Sequence, residues 1–110
     1  MYSKELLKGT IEIIILKLLQ ENEELYGYDI TQRVKELTNG RIDISEGSLY
    51  PILHRLEASG KVTVRKEAIG KRYRKYYSIT KDGRLLASSK IKELEQFILS
   101  LNLIFNLKPA

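Results

Sequence analysis

The chain has 110 residues, 43% of them hydrophobic, which makes one domain with a small core that gains from oligomerisation. It contains no cysteine, so disulfides and thiolate metal sites are excluded and a reducing cytoplasm is the expected compartment. The formal net charge is +5, unevenly spread. Residues 1–60 hold 7 basic and 10 acidic groups, net −3, residues 61–84 hold 9 and 2, net +7, and residues 85–110 hold 3 and 2, net +1. One short cationic segment suits a polyanion partner better than a diffuse solubility charge does. The first residues, Met-Tyr-Ser-Lys-Glu, lack a signal-peptide layout. The longest apolar run, residues 13–16, is far too short to span a bilayer.

Residues 4–20 read as a helix, with Leu7, Ile11, Ile14, Ile15, Leu18 and Leu19 on a broad apolar face. Ile13 and Leu16 add a second apolar side, as when another chain packs there. After a polar break at residues 21–24, Leu25-Tyr26-Gly27-Tyr28-Asp29-Ile30 leads into a second helix, about 27–38, with Ile30, Val34 and Leu37 inward. Asn39-Gly40 is a turn signal. Ile42 and Ile44 alternate with Asp43, as in a short extended stretch.

Residues 45–60 form the helix on which the reading turns. Leu49, Ile52, Leu53 and Leu56 follow the i, i+3, i+4, i+7 spacing of one buried face. Ser45 or Ser48 can cap its start, and Pro51 belongs near the start. Gly60 suits the left-handed position that ends a helix. The other face carries Ser48, Tyr50, His54 and Arg55, the kind of surface that enters a DNA major groove.

The period then changes to two. Val62 and Val64 alternate in one strand; Ala68-Ile69-Gly70 marks a loop; Tyr73, Tyr77 and Ile79 alternate in the returning strand. Lys71, Arg72, Arg74 and Lys75 stand at and after the loop. Three helices followed by a basic hairpin are the order of a winged helix-turn-helix. The fold expected is mainly α with a small β-hairpin: a winged helix-turn-helix over residues 1–80, plus a C-terminal dimerisation helix over residues 81–110. That last helix, roughly 82–106, spaces Ala87, Ile91, Leu94, Ile98, Leu101 and Phe105 in the 4, 3 alternation of a coiled-coil seam. Phe97, Ile104 and Leu107 add apolar surface beside it. Packing back onto its own domain is the alternative to a homodimer.

Together these residues resemble the PadR-type transcriptional regulators, in the short form with one extra helix. The motifs are Gly27-Tyr28-Asp29-Ile30, Gly47-Ser48-Leu49-Tyr50-Pro51-Ile52-Leu53 with Arg55-Leu56-Glu57, and Arg74-Lys75-Tyr76-Tyr77 with Ile79-Thr80 and Gly83. The resemblance covers nearly the whole chain. It implies a homodimer that binds double-stranded DNA at a palindromic operator, usually as a repressor and sometimes released by a small molecule. By position, Tyr28, Ser48, Tyr50 and His54 or Arg55 fall where relatives meet DNA, and Lys71, Arg72 and Arg74 fall on the wing; Ser45 and Lys75 join them as candidate DNA-binding residues. Ile91, Leu94, Ile98, Leu101 and Phe105 form the expected dimer interface. Ile15, Leu94, Phe97 and Ile98 are the candidates for an effector cavity between the first and last helices. Some relatives hold aromatic drugs between tryptophans; this chain has no tryptophan, and Leu94 stands near that place.

The single histidine, without cysteine or a second histidine, makes no metal site. No phosphate-binding glycine loop and no catalytic triad is present, so neither a cofactor nor an enzyme is expected. A winged helix that docks an acidic protein is the runner-up to DNA binding. Such a module has no need of four cations clustered on the wing.

Overall fold

The computed structural model describes residues 2–106. The elements run α1 (Lys4–Leu7), α2 (Ile11–Glu21), β1 (Leu25–Tyr26), α3 (Gly27–Leu37), α4 (Glu46–Ala58), β2 (Val62–Ile69), β3 (Arg72–Ile79) and α5 (Lys81–Phe105). The strands make one antiparallel sheet in the order β1-β3-β2. Most of the chain is helical, and the expected winged-helix order is present.

The first helix is broken, against the expectation of one helix over residues 4–20. The Leu7 carbonyl accepts from both the N–H and the hydroxyl of Thr10, each at 2.9 Å. That turn closes α1 after one turn, and α2 starts afresh at Ile11. Ile15, Leu16 and Leu19 of α2 are fully buried within the single chain. Leu16 therefore needs no second chain to cover it.

In α3, Ile30 and Val34 face the core, but Leu37 is 73% exposed, a correction to its inward placement. Residues 42–44 form no strand. Ile44 is buried and Ile42 half-buried in an irregular connection, and the Ile42 N–H donates to the Thr38 hydroxyl at 3.0 Å.

Ser45 caps α4, its Oγ accepting from the Ser48 N–H at 3.2 Å. Leu49, Leu53 and Leu56 carry the buried face. Pro51 is the sixth residue of α4 and not part of its first turn. Lacking an N–H, it leaves the Gly47 carbonyl without its usual helical donor. The helix ends as expected: Gly60 has φ +75°, its N–H donates to Glu57, and the Lys61 N–H donates to Leu56 at 2.8 Å. This pair of reversed bonds is the Schellman closure, which favours glycine.

Two-residue β1 is a strand that no local pattern announced. It forms because β3 offers an edge: Leu25 pairs with Tyr77 and Tyr26 with Tyr76. β2 runs through Ile69, so the loop expected at residues 68–70 shrinks to a tight turn at residues 70–71. Val62 and Tyr77 are buried, whereas Tyr73 is 73% exposed. Tyr73 shares a sheet face with Tyr77 by the alternation of the strand, but the hairpin has by then passed beyond the core.

Thr80 knots the end of the sheet to α5. Its hydroxyl donates to the Gly60 carbonyl at 2.8 Å and accepts from the Gly83 N–H at 3.0 Å. Ala87 is buried and Ile91 packs on the core beside α2. The first third of the expected seam is thus covered by its own domain. Beyond it, Phe97, Ile98, Leu99, Leu103, Ile104 and Phe105 are exposed. Leu107 lies outside the described residues. No described helix is long and apolar enough to cross a membrane.

Candidate nucleic-acid interface

A groove of about 450 Å³ runs between α4 and the wing. Tyr50 and His54 line it from the helix, Arg72, Arg74 and Lys75 from β3, Tyr26 from β1 and Gly27 from the start of α3. Ile69 and Tyr73 extend the wall toward the wing tip, and Tyr77 also lines it. No lining residue is a carboxylate. Five residues singled out from the sequence are therefore brought to one concavity.

Tyr50 is half-buried, packed so closely on Gly27 that its hydroxyl and ring occupy the place of a β-carbon there. Burial first, then the nearby charge of Glu46, holds the Tyr50 phenol above its ordinary pKa. His54 is exposed one turn along, its ring centroid 6.5 Å from that of Tyr50. Ser45 donates from its hydroxyl to Ser48 Oγ at 3.1 Å, so both serines sit at the helix N-terminus with exposed or half-exposed side chains. Arg55 lies on a different side. It stands 3.9 Å from the Glu12 carboxylate of α2 and does not line the groove.

Tyr28 is 53% exposed, and its ring stacks on Tyr26 at 6.0 Å. Lys71, Arg72 and Lys75 are exposed, but Arg74 is half-buried. Its guanidinium lies 4.3 Å over the Tyr26 ring, a cation–π contact that holds it at the root of the wing. Sequence reasoning missed Tyr26, because a two-residue strand gives no periodic signal. It also missed the Glu24–Arg65 pair, whose members are 41 residues apart. That guanidinium holds the Glu24 carboxyl below the ordinary carboxylate range. The Tyr77 hydroxyl is buried without a hydrogen-bond partner among the described residues.

Of the effector candidates, Ile15 of α2 is wholly buried in the core of the single chain. Leu94 is half-buried, whereas Phe97 and Ile98 are exposed. Among the described residues no group of three or more His, Asp or Glu is placed to hold a metal.

This winged helix has many structural relatives. The PadR-like transcriptional regulator family matches residues 15–89. The chain belongs to that family. It is 32% identical over 93 residues to the transcriptional regulator Rv3488 of Mycobacterium tuberculosis, covering 84% of this chain and 83% of that one. A PadR family transcriptional regulator from Eggerthella lenta superposes with a TM-score of 0.77 at 27% identity, over 94% of this chain and 88% of its own. A PadR-like transcriptional regulator from Bacillus cereus also gives 0.77, at 26% identity, over 94% and 99%.

Proposed function

We propose that this PadR-like regulator binds double-stranded DNA sequence-specifically as a homodimer, with residues 1–80 as the DNA-binding unit and residues 81–110 as the dimerisation helix. The observation that carries the reading is the carboxylate-free groove, which joins Tyr50 and His54 of α4 to Arg72 and Lys75 of the wing. A helix that presents exposed hydroxyl and imidazole groups, with half-buried Tyr50 beside His54, can read base edges, and flanking cations position it on phosphates. The exposed apolar length of α5 supports the homodimer, because such a surface is costly to leave in water. Two copies would present two recognition helices to a palindromic operator.

The PadR resemblance adds repression as the sign of regulation and release by a small molecule. An effector would act by favouring a dimer whose recognition helices are wrongly spaced. The chemistry is binding, without catalysis or cofactor, in the cytoplasm. Selection of bound duplexes from a random pool tests the whole reading. A palindromic product is expected; a pool without enrichment would overturn sequence-specific binding.

A further inference from the structure

The wing is fastened at its root and free at its tip. β1 pairs only with Tyr76 and Tyr77 of β3, and the buried hairpin residues Val62 and Tyr77 lie at that same end. From Lys66 to Lys75 every residue is exposed except half-buried Arg74, whose guanidinium lies over the Tyr26 ring and ties it back to the body. The last cross-strand pair before this free part is Arg65 opposite Tyr76.

Arg65 is held from three sides. Its Nη2 and Nε donate to the two oxygens of Glu24, at 2.6 and 3.2 Å. Its Nη1 reaches Glu67 at 3.4 Å, and its guanidinium lies 4.5 Å over the Tyr76 ring. Glu24 immediately precedes β1, and β3 separates β1 from β2. The Arg65 fork therefore ties the two sides of the sheet across its middle strand. The layer continues into the body of the domain. Tyr76 meets Tyr26 at 5.8 Å, and the Tyr26 N–H donates to Asp29 in the first turn of α3 at 3.3 Å.

We infer that Glu24 and Arg65 are positioning residues for nucleic-acid binding: they set the angle at which the wing leaves the domain and touch no DNA themselves. The inference rests on the DNA-binding reading above. An isolated surface ion pair contributes little stability, but here the quantity at stake is an angle. Five residues of strand from Arg65 to Gly70 make a lever of about 17 Å, so a 10° hinge at the root moves the tip by about 3 Å. A hydrogen bond to a phosphate survives a displacement of only a few tenths of an ångström.

Charge alone predicts the opposite outcome. Removing a carboxylate from a protein that binds a polyanion strengthens binding through the general field. The test uses the full chain, with Glu24→Gln and the charge-preserving Arg65→Lys, titrated with random-sequence duplex DNA. Both variants should bind about threefold to tenfold more weakly than the unaltered chain, because a displaced tip loses phosphate contacts, with melting temperatures nearly unchanged. In the free variants, backbone order parameters of residues 68–73 should fall below about 0.6. Glu24→Asp should recover part of both effects. A tip that stays ordered in Glu24→Gln, or an affinity that holds or rises, overturns the inference. If the unaltered chain itself fails to bind DNA, the functional reading falls, and the order parameters still decide whether the brace exists.

Discussion

Tyr50 of α4 rests directly on the α-carbon of Gly27, with its hydroxyl and ring where a β-carbon would stand. A residue that was expected to reach outward is thus half-buried, and the start of α3 sets its orientation. Gly27→Ala should force the Tyr50 ring to move and cost about 1–3 kcal/mol of stability, the usual range for overpacking. Denaturant unfolding measures that cost. DNA affinity should drop with it in the folded protein. Tyr50→Ala in the Gly27→Ala background should recover stability, because the clash is gone. If the double variant is as unstable as the sum of the two single ones, the contact is not the cause.

Tyr77 carries a different liability. Its hydroxyl is buried without a described partner, and burial holds its pKa above the ordinary value of 10.0. An unpaired buried hydroxyl opposes folding, so Tyr77→Phe should leave the melting temperature at neutral pH unchanged or slightly raised. The pH dependence follows from the same shift. The neutral phenol is favoured in the folded state, so its contribution is fully present below pH 10 and is lost as pH rises through the higher folded value. Alkaline unfolding should therefore begin above about pH 10 and move upward in Tyr77→Phe. A phenylalanine variant that melts several degrees lower at neutral pH would mean that the hydroxyl is satisfied after all.

Helix α4, the hairpin and α5 were legible from the chain because each rests on local signals. Ser45 caps, leucines recur at helical spacing, and Gly60 takes the left-handed turn. What escaped depends on distant neighbours. β1 exists only because Tyr76 and Tyr77 lie beside it. The break before α2 turns on the Thr10 bonds to one carbonyl. Alternation placed Tyr73 on the correct sheet face, and helical spacing placed Leu37 near the inner face of α3. Neither pattern shows where the core ends, and both residues are exposed. In the candidate site, Tyr50, His54, Arg72 and Lys75 were identifiable by residue type and order, whereas Arg74 was assigned to the free wing although it lies over Tyr26. Glu24 and Arg65 had no signal at all, being joined only by the sheet.

The proposed homodimer can be tested where the chain itself does not already bury the seam. Ala87 and Ile91 pack on the core, but Ile98 and Phe105 are 49% and 62% exposed. Ile98→Asp with Phe105→Asp should therefore give a monomer that keeps the melting behaviour of the winged helix. Burial of such side chains contributes on the order of 1.5–3 kcal/mol each, and a symmetric interface counts each twice. Sedimentation at micromolar concentration reads the result. An unchanged dimer would move the interface elsewhere. DNA binding should weaken with dissociation, since the two half-sites are no longer linked.

The wing should supply salt-dependent, sequence-blind affinity through its exposed tip. Lys71 and Arg72 stand at the turn, exposed, and neither takes part in an ion pair among the described residues. They are thus available to phosphates, unlike Arg74 over Tyr26 and Arg65 against Glu24. Each phosphate contact contributes about −0.9 to the slope of log affinity against log salt. In a symmetric dimer, Lys71→Ala with Arg72→Ala removes up to four contacts and should flatten the slope by roughly 3 to 4 units. The preferred sequence should survive, because these groups position the protein while α4 specifies. Arg74→Ala should behave differently: its direct phosphate contribution is small, so the slope changes little while the Tyr26 side chain loses its cover. Isotherms at several salt concentrations separate the cases. An unchanged slope in the double variant would remove the wing tip from the interface, and an altered base preference would make it a reader of sequence.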